Sequence, residues 1–142
     1  MSARSRLVLD THVWLWFALG IQGKFRPAVL RTIELAAESS NLHVSIVSVW
    51  EIAMLVAKER VSLPIAVDEW ISAALAPAQI KLVGLSRIGT VLDSVKLPGT
   101  FHADAADRFL IATARNLRAT LVTHDADIIA YAKLGHLQVL AV

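Results

Sequence analysis

The sequence predicts an α/β fold in which a mainly parallel β-sheet is sandwiched between helices. Two observations predict this class. Short apolar segments recur along the chain, and segments in which apolar residues follow helical spacing separate them. A length of 142 residues is typical of one domain with a substantial core, so we expect a single domain over residues 1–142.

The first half of the chain opens on Leu7–Leu9, a short apolar, β-branched segment that resembles the buried parallel strands of α/β proteins. Helices are predicted from about His12 and over Ala28–Ala37. Leu42–Ser45 is predicted as the second strand, and a helix over Ser48–Arg60 follows it.

The middle of the chain is divided by proline and glycine. Pro64 ends the preceding helix, and Val67–Leu75 resumes helical periodicity. Ile80–Leu85 is predicted as the third strand and Ile88–Val95 as a weak helix. A turn is predicted over Leu97–Gly99 because it contains Pro and Gly in succession.

Asp104–Leu117 is the clearest helix of the chain. Its helically spaced stripe consists of Asp107, Leu110, Ile111, Ala114 and Leu117. The fourth strand is predicted over Thr120–Thr123, a helix over Asp125–Lys133 and a last strand over Leu137–Val142. The alternation of strands and helices therefore continues to the end of the sequence.

Composition excludes several kinds of site. The chain has no cysteine, which excludes disulfides, thiolate zinc sites and cysteine nucleophiles and favours a cytoplasmic location. The hydrophobic share is 56% and mean hydropathy is +0.57, both high for a soluble domain. The most apolar segments, Val13–Ile21 and Leu42–Trp50, are nevertheless much shorter than the roughly 20 residues of a membrane-spanning helix. We therefore expect no membrane segment, and we attribute the apolar excess to the core and to a protein interface.

Carboxylates stand where predicted strands end or predicted helices begin. This set consists of Asp10, Glu51, Asp104, Asp107 and Asp125. Ligands of open parallel sheets bind at the carboxyl ends of the strands, so these side chains are expected to converge on one crevice. Anions gathered in a partly buried crevice repel one another unless a cation neutralises them. Oxygen ligands without cysteine favour Mg²⁺ or Mn²⁺ over zinc.

Helix capping is the competing explanation for each carboxylate taken singly, because Asp is a favoured N-cap residue. Ser48 and Glu51 match a capping box, and Asp104 and Asp107 have similar spacing. Ser, Thr and Asn cap equally well, however, so capping does not require the negative charge to be concentrated at one edge. The 14 Lys and Arg outnumber the acids left elsewhere if five of the 12 acids surround a cation, although an ordinary mixed surface explains the charge balance equally well.

Four segments resemble the PIN-domain family, and specifically the VapC-like toxins, in order and spacing. They are Leu7-Val8-Leu9-Asp10-Thr11-His12, Ser48-Val49-Trp50-Glu51-Ile52-Ala53, Asp104-Ala105-Ala106-Asp107-Arg108-Phe109-Leu110-Ile111-Ala112 and Leu121-Val122-Thr123-His124-Asp125. The third is similar to the family's D-P-F-D-R-x-L-I-A helix, with Ala105 and Ala106 in place of the proline and the aromatic residue. Leu55 stands where the family often has a lysine.

The resemblance implies a metal-dependent endoribonuclease that acts as the toxin of a type II toxin–antitoxin pair. It implies that Asp10, Glu51, Asp107 and Asp125 hold Mg²⁺ or Mn²⁺ and serve catalysis, and that no other cofactor binds. We expect Asp104 to be a cap or an outer group of the metal site that forms an ion pair with Arg108. RNA, a cognate antitoxin and a second copy of the chain are the expected partners. The alternative is a non-catalytic PIN-like module that binds a protein.

Overall fold

The structure, a computed structural model, describes residues 5–77, 79–102 and 104–142. Five strands within these ranges form one sheet: β1 Leu7–Leu9, β2 Leu42–Ser45, β3 Ile80–Val83, β4 Thr120–Thr123 and β5 Val139–Ala141. All neighbouring strands are parallel, in the order β3-β2-β1-β4-β5. The predicted α/β class with a parallel sheet is confirmed.

The helices lie between the strands in sequence, as predicted. They are α1 Thr11–Leu19, α2 Pro27–Glu38, α3 Ile46–Ala57, α4 Val67–Leu75, α5 Ile88–Val95, α6 Ala105–Leu117 and α7 Ala126–Ala132. Several predicted boundaries were wrong. The last strand, predicted over Leu137–Val142, spans Val139–Ala141, and the helix predicted to end at Arg60 ends at Ala57. The strand predicted over Ile80–Leu85 ends at Val83, and the helix predicted from Ser48 begins at Ile46 because the Ser45 hydroxyl accepts a hydrogen bond from the Val47 amide.

Two apolar layers cover the two faces of the sheet, because successive residues of a strand point to opposite sides. Leu7 and Leu9 pack into a core formed with α1, α2, α3 and α4, around the fully buried Trp14 and Ile33. Val8 packs on the other face, with residues of α6 and α7. The sheet is therefore sandwiched between two helical layers.

The cap and the apolar stripe predicted for helix α6 determine how it packs on the sheet. The side chain of Asp104 caps its start, and Leu110 and Ile111 are buried against the sheet. The helix ends at Arg118, whose left-handed backbone conformation (φ 53°) stops it before β4. Its first turn consequently lies at the carboxyl edge of the sheet.

The strand order indicates where a ligand-binding crevice is expected. The chain proceeds from the central β1 outward to β2 and β3, and then crosses to the other side of β1 for β4 and β5. The direction of strand addition therefore reverses between β1 and β4, where open α/β sheets bind ligands. Among the described residues, none of the helices has the length and apolar composition of a membrane-spanning segment.

Candidate metal and active site

Asp10 follows β1 directly and lies at the point where the strand order reverses. One carboxylate oxygen, Oδ1, accepts a hydrogen bond from the His12 amide at 3.2 Å and so caps α1. The other, Oδ2, accepts from the Thr123 hydroxyl on β4 at 2.5 Å. The residue is only 7% exposed, so its carboxylate is fixed between the two central strands.

Glu51 reaches the same edge from α3, although not from the position expected. Because α3 begins at Ile46, Glu51 lies in its second turn, and the predicted capping box of Ser48 and Glu51 was wrong. Ser48 instead shares a 2.8 Å hydrogen bond with the Thr11 hydroxyl. Thr11 also donates to Glu51 Oε1 at 2.5 Å, which holds this carboxylate beside the start of α1.

Asp104 and Asp107 enter the site from the first turn of α6. Asp104 Oδ1 accepts a 3.0 Å hydrogen bond from the Asp107 amide, which confirms Asp104 as the N-cap. The predicted ion pair of Asp104 with Arg108 was wrong. Arg108 donates instead to the backbone carbonyls of Phe101, His102 and Ser94, at 2.8, 2.9 and 3.2 Å.

Asp125 caps α7, just after β4. Its Oδ1 accepts hydrogen bonds from the Asp127 and Ile128 amides at 2.9 and 3.0 Å. The Asp125 amide donates to the Thr123 hydroxyl at 3.0 Å, and Thr123 donates in turn to Asp10. Thr123 therefore connects two of the acidic residues across the point where the strand order reverses. Capping and clustering occur together, since a cap needs only one oxygen of each carboxylate.

The pKa shifts indicate that the five carboxylates lie close enough to repel one another. The pKa of Asp107 is raised to about 7, first by burial and then by the charges of Asp104, Asp125, Asp10 and Glu51. Burial also raises the pKa of Asp10, which the Thr123 hydrogen bond partly offsets. The pKa of Glu51 is raised by burial, against the Thr11 hydrogen bond, and further by Asp10 and Asp104. We call these five residues the acidic cluster.

The donor chemistry of the acidic cluster fits a hard divalent cation. All its side-chain donors are carboxylate oxygens, and their mutual repulsion leaves a negative charge that a cation would neutralise. Across the described ranges, no group of three or more His, Asp or Glu side chains is already arranged to hold a metal ion. The carboxylates are gathered at one edge but are not closed around a single point.

His102 and Asp127 belong to the same neighbourhood and were missed by sequence reasoning. His102 Nε2 lies 3.5 Å from Asp107 Oδ2 and 3.7 Å from Asp127 Oδ2, and its Nδ1 accepts from the Asp104 amide at 3.1 Å. In the sequence, the signal that could have identified His102 is its position two residues before Asp104.

Two further histidines lie beside the acidic cluster. His12 and His124 are close in sequence to Asp10 and Asp125, which makes them candidate outer groups of the site. Their rings lie 6.0 Å apart, and both act electrostatically on Asp10.

The fold and the site together define a class: three-layer α/β proteins with an acidic cluster at the reversal point of a parallel sheet. A family model described as PIN domain matches residues 7–134, and the chain belongs to this family. The protein is 35% identical over 119 residues to Ribonuclease VapC22 of Mycobacterium tuberculosis (strain ATCC 25618 / H37Rv), an alignment that covers 84% of this chain and 86% of the relative.

Solved structures share the fold at low sequence identity. A crystal structure of VapBC2 from Rickettsia felis, bound to a DNA fragment from its promoter, matches with a TM-score of 0.68 and 16% identity. That match covers 95% of this chain and 97% of the other. FitAcB from Neisseria gonorrhoeae matches with a TM-score of 0.63 and 17% identity, over 94% and 96% of the two chains.

Proposed function

We propose that this chain is a metal-dependent endoribonuclease, working as one nuclease domain, and that it is the toxin of a toxin–antitoxin pair in the cytoplasm. The observation that carries the proposal is the convergence of five carboxylates from distant segments on the reversal point of the sheet. A caps-only explanation does not account for a partly buried Asp107 whose pKa is raised by four other acids. The ribonuclease relative supports RNA as the substrate.

Asp10, Glu51, Asp107 and Asp125 are the residues that we propose to hold Mg²⁺ or Mn²⁺. When bound, a divalent cation lowers the pKa of water and stabilises the negative charge that develops on the scissile phosphate. We assign Asp104 to an outer position, because it is exposed whereas the other four acids of the cluster are buried or half-buried. No side-chain nucleophile is needed for this hydrolysis.

Two threonines position the carboxylates. Thr123 donates to Asp10 and accepts from the Asp125 amide, so it fixes these two acids relative to each other. Thr11 donates to Glu51 and contacts Ser48, which orients the carboxylate that comes from α3. Both threonines are at most 2% exposed, and their rotation is therefore restricted by packing.

The decisive experiment is cleavage of single-stranded RNA by purified protein with Mg²⁺ or Mn²⁺ and with EDTA. Asp10→Asn keeps the cap and the shape but removes the charge, so we expect loss of cleavage with thermal stability close to that of the wild type. Asp68→Asn, an exposed aspartate of α4, is the matched control and should cleave normally. Cleavage that survives EDTA, or full activity of Asp10→Asn, would favour the alternative, a non-catalytic protein-binding module.

An antitoxin is the partner that the surface next to the acidic cluster fits. A groove of about 500 Å³ between α1 and α2 is lined by aromatic and aliphatic residues that include Trp16, Phe17 and Ile21. The Trp16 ring contacts His124 at 4.7 Å, so one end of the groove adjoins the cluster. An amphipathic segment in this groove would place a basic residue over the carboxylates. Solved structures of similar fold include a toxin–antitoxin complex from Klebsiella pneumoniae.

We also propose that the chain forms a homodimer. Several large apolar residues remain exposed in the described part of the chain, and four of them, Ile88, Val91, Leu92 and Val95, follow helical spacing on α5. An exposed apolar stripe is typical of a protein interface. Sedimentation at micromolar concentration should therefore give a dimer, and a strictly monomeric species would contradict this part of the proposal.

A further inference from the structure

A second pocket lies apart from the acidic cluster, between strands β2 and β3 and helices α5 and α6. Its volume is about 290 Å³, and His43, Lys81, Ser86, Arg87, Thr90 and Asn116 contribute polar side chains to its wall. None of its lining residues is acidic, and none belongs to the acidic cluster. We call it the basic pocket.

Positive charge dominates the basic pocket. Lys81 on β3 is the register partner of the buried His43 on β2, and Arg87 stands at the start of α5. Besides burial, the charges that lower the pKa of His43 are those of Lys81 and Arg6, both cations. Arg6 also donates a 2.8 Å hydrogen bond to the carbonyl of Leu117, a residue of the pocket wall. A carboxylate near the wall, that of Asp93, accepts from Asn116 at 3.4 Å but is paired with Arg115 at 3.0 Å. A concave wall that carries cations and no acidic lining residue concentrates anions.

The pocket also contains hydrogen-bond donors that have no partner among the described residues. Helix α5 begins at Ile88 with no side-chain cap. The amides of Thr90 and Val91 donate to the Arg87 carbonyl, whereas those of Ile88 and Gly89 have no acceptor among the described residues. Thr90, in the same turn, is only 4% exposed, and its hydroxyl makes no hydrogen bond to any described residue. Because Thr90 lines the pocket, a hydroxyl without a partner in the described residues is available to a ligand there.

We propose that the basic pocket binds a phosphate group through Lys81, Arg87, the Thr90 hydroxyl and the start of α5. The phosphate is either one unit of an RNA backbone or part of a free phosphate compound. Only the RNA source rests on the function proposed above. The volume is near the lower end of small-molecule sites, which start at about 300 Å³, so the pocket fits a phosphate with part of a nucleotide rather than a dinucleotide.

His43 provides a reporter, because it is the one histidine of the pocket wall. Inorganic phosphate is titrated into the full chain in the presence of EDTA, and the imidazole signals are followed by NMR at constant pH. We expect a saturable shift of the His43 signals, while the other four of the five histidines serve as internal references. EDTA removes any metal that could attract phosphate to the acidic cluster.

Matched variants test the assignment of the donors. Arg87→Gln should weaken the phosphate Kd about tenfold, the effect of losing a charge-assisted hydrogen bond. Thr90→Val has almost the same shape and should weaken it by a smaller factor. Arg60→Gln, which removes an exposed arginine outside the pocket, should change the Kd by less than about twofold.

The source of the phosphate is identified with a cleavage-resistant 2′-O-methyl RNA oligonucleotide. A shift of His43 at lower concentration than with phosphate, weakened by Arg87→Gln, identifies an RNA backbone. A response to phosphate alone identifies a free phosphate compound. No His43 shift with either probe, or equal weakening by Arg60→Gln and Arg87→Gln, would overturn the proposal. Because no cleavage is measured, the nuclease assignment and the phosphate pocket fail independently.

Discussion

Asp107 is the residue at which burial and like charge act together most strongly. Its side chain is 19% exposed, and its pKa is raised from the ordinary 3.8 to about 7. The folded chain therefore holds this proton more tightly than the unfolded chain does. The resulting stability is fully present below about pH 4 and is lost as the pH rises through about 7.

The metal-free protein should accordingly become less stable between about pH 4 and pH 7 through this group. Asp107→Asn carries no titrating proton, so its melting temperature should rise relative to the wild type over the same interval. Thermal melts in EDTA across this range measure the difference, with Asp68→Asn as control. Adding Mn²⁺ should stabilise the wild type more than the variant, because a cation that binds the native state raises its stability. A difference in melting temperature that is independent of pH would contradict the raised pKa of Asp107.

The two aspartates of α6 should differ in function. Asp107→Asn is expected to abolish metal-dependent cleavage, because this carboxylate meets the charges of all four other acids of the cluster. Asp104→Asn preserves the cap on the Asp107 amide and should reduce cleavage only partly. Cleavage rates and Mn²⁺ affinity of both variants decide the assignment. Equal and complete loss in both would make Asp104 a direct metal ligand.

At the same scale, the sequence identified the acids of the cluster but not their immediate surroundings. Asp10 and Asp125 could be placed because each closely follows an apolar strand. Glu51 was placed in the wrong turn, since Ser45 and Ser48 are both credible caps and only packing selects between them. The contact of His102 with Asp107 depends on the path of the segment before α6, which no periodicity encodes.

At the scale of elements, Arg108 fastens the start of α6. Its guanidinium donates to carbonyls of Phe101, His102 and Ser94, and so joins the end of α5, the connecting segment and α6. Charge-assisted hydrogen bonds of this kind are stronger than neutral ones. Asp104 is the N-cap of α6 and Asp107 lies in its first turn. The hydrogen bonds of Arg108 therefore also position two carboxylates of the cluster.

Arg108→Met should therefore lower the free energy of unfolding by about 2 kcal/mol, which urea denaturation measures. Arg108→Lys keeps the charge but cannot reach three carbonyls with one planar group, so an intermediate loss is expected. Mn²⁺ affinity should fall in the same order. Arg60→Met removes an exposed arginine and serves as control, and losses no larger than that of the control would refute the positioning role.

The type of each element was predictable from periodicity, whereas boundaries depended on capping and pairing. The strand predicted over Ile80–Leu85 ends at Val83, where its pairing with Ser45 of β2 ends. The next residue is Gly84, and a glycine weakens a strand because it has no side chain to pack against the neighbouring strand. A prediction from apolar character alone therefore makes this edge strand too long.

At the scale of the whole molecule, alternating strands and helices were sufficient to predict a parallel sheet between helical layers. They did not predict the strand order, because any of several crossover patterns satisfies the same alternation. The order β3-β2-β1-β4-β5 is set by which strand edges and helical faces fit together in the two cores. The convergence of the carboxylates was predictable only through the general rule for the carboxyl edge of such sheets.

The groove between α1 and α2 allows a prediction for the complete molecule and its partner. Ile21→Asp introduces a charge into an apolar wall, so inhibition by the antitoxin proposed above should weaken at least about tenfold. RNA cleavage by the free chain should be unchanged. Leu134→Asp, 57% exposed and outside the groove, is the matched control. Undiminished inhibition of the Ile21 variant would place the partner on another surface.

The late position of β4 in the chain has a consequence for biosynthesis. Asp10 and Glu51 leave the ribosome early, but Thr123 and Asp125, which complete their surroundings, are synthesised only after every element from β1 to α6. In a nascent chain that stops before β4, the edge of β1 that pairs with β4 has no neighbouring strand. The order of synthesis thus keeps an incomplete chain from assembling the acidic cluster on the ribosome, close to the messenger RNA that encodes it.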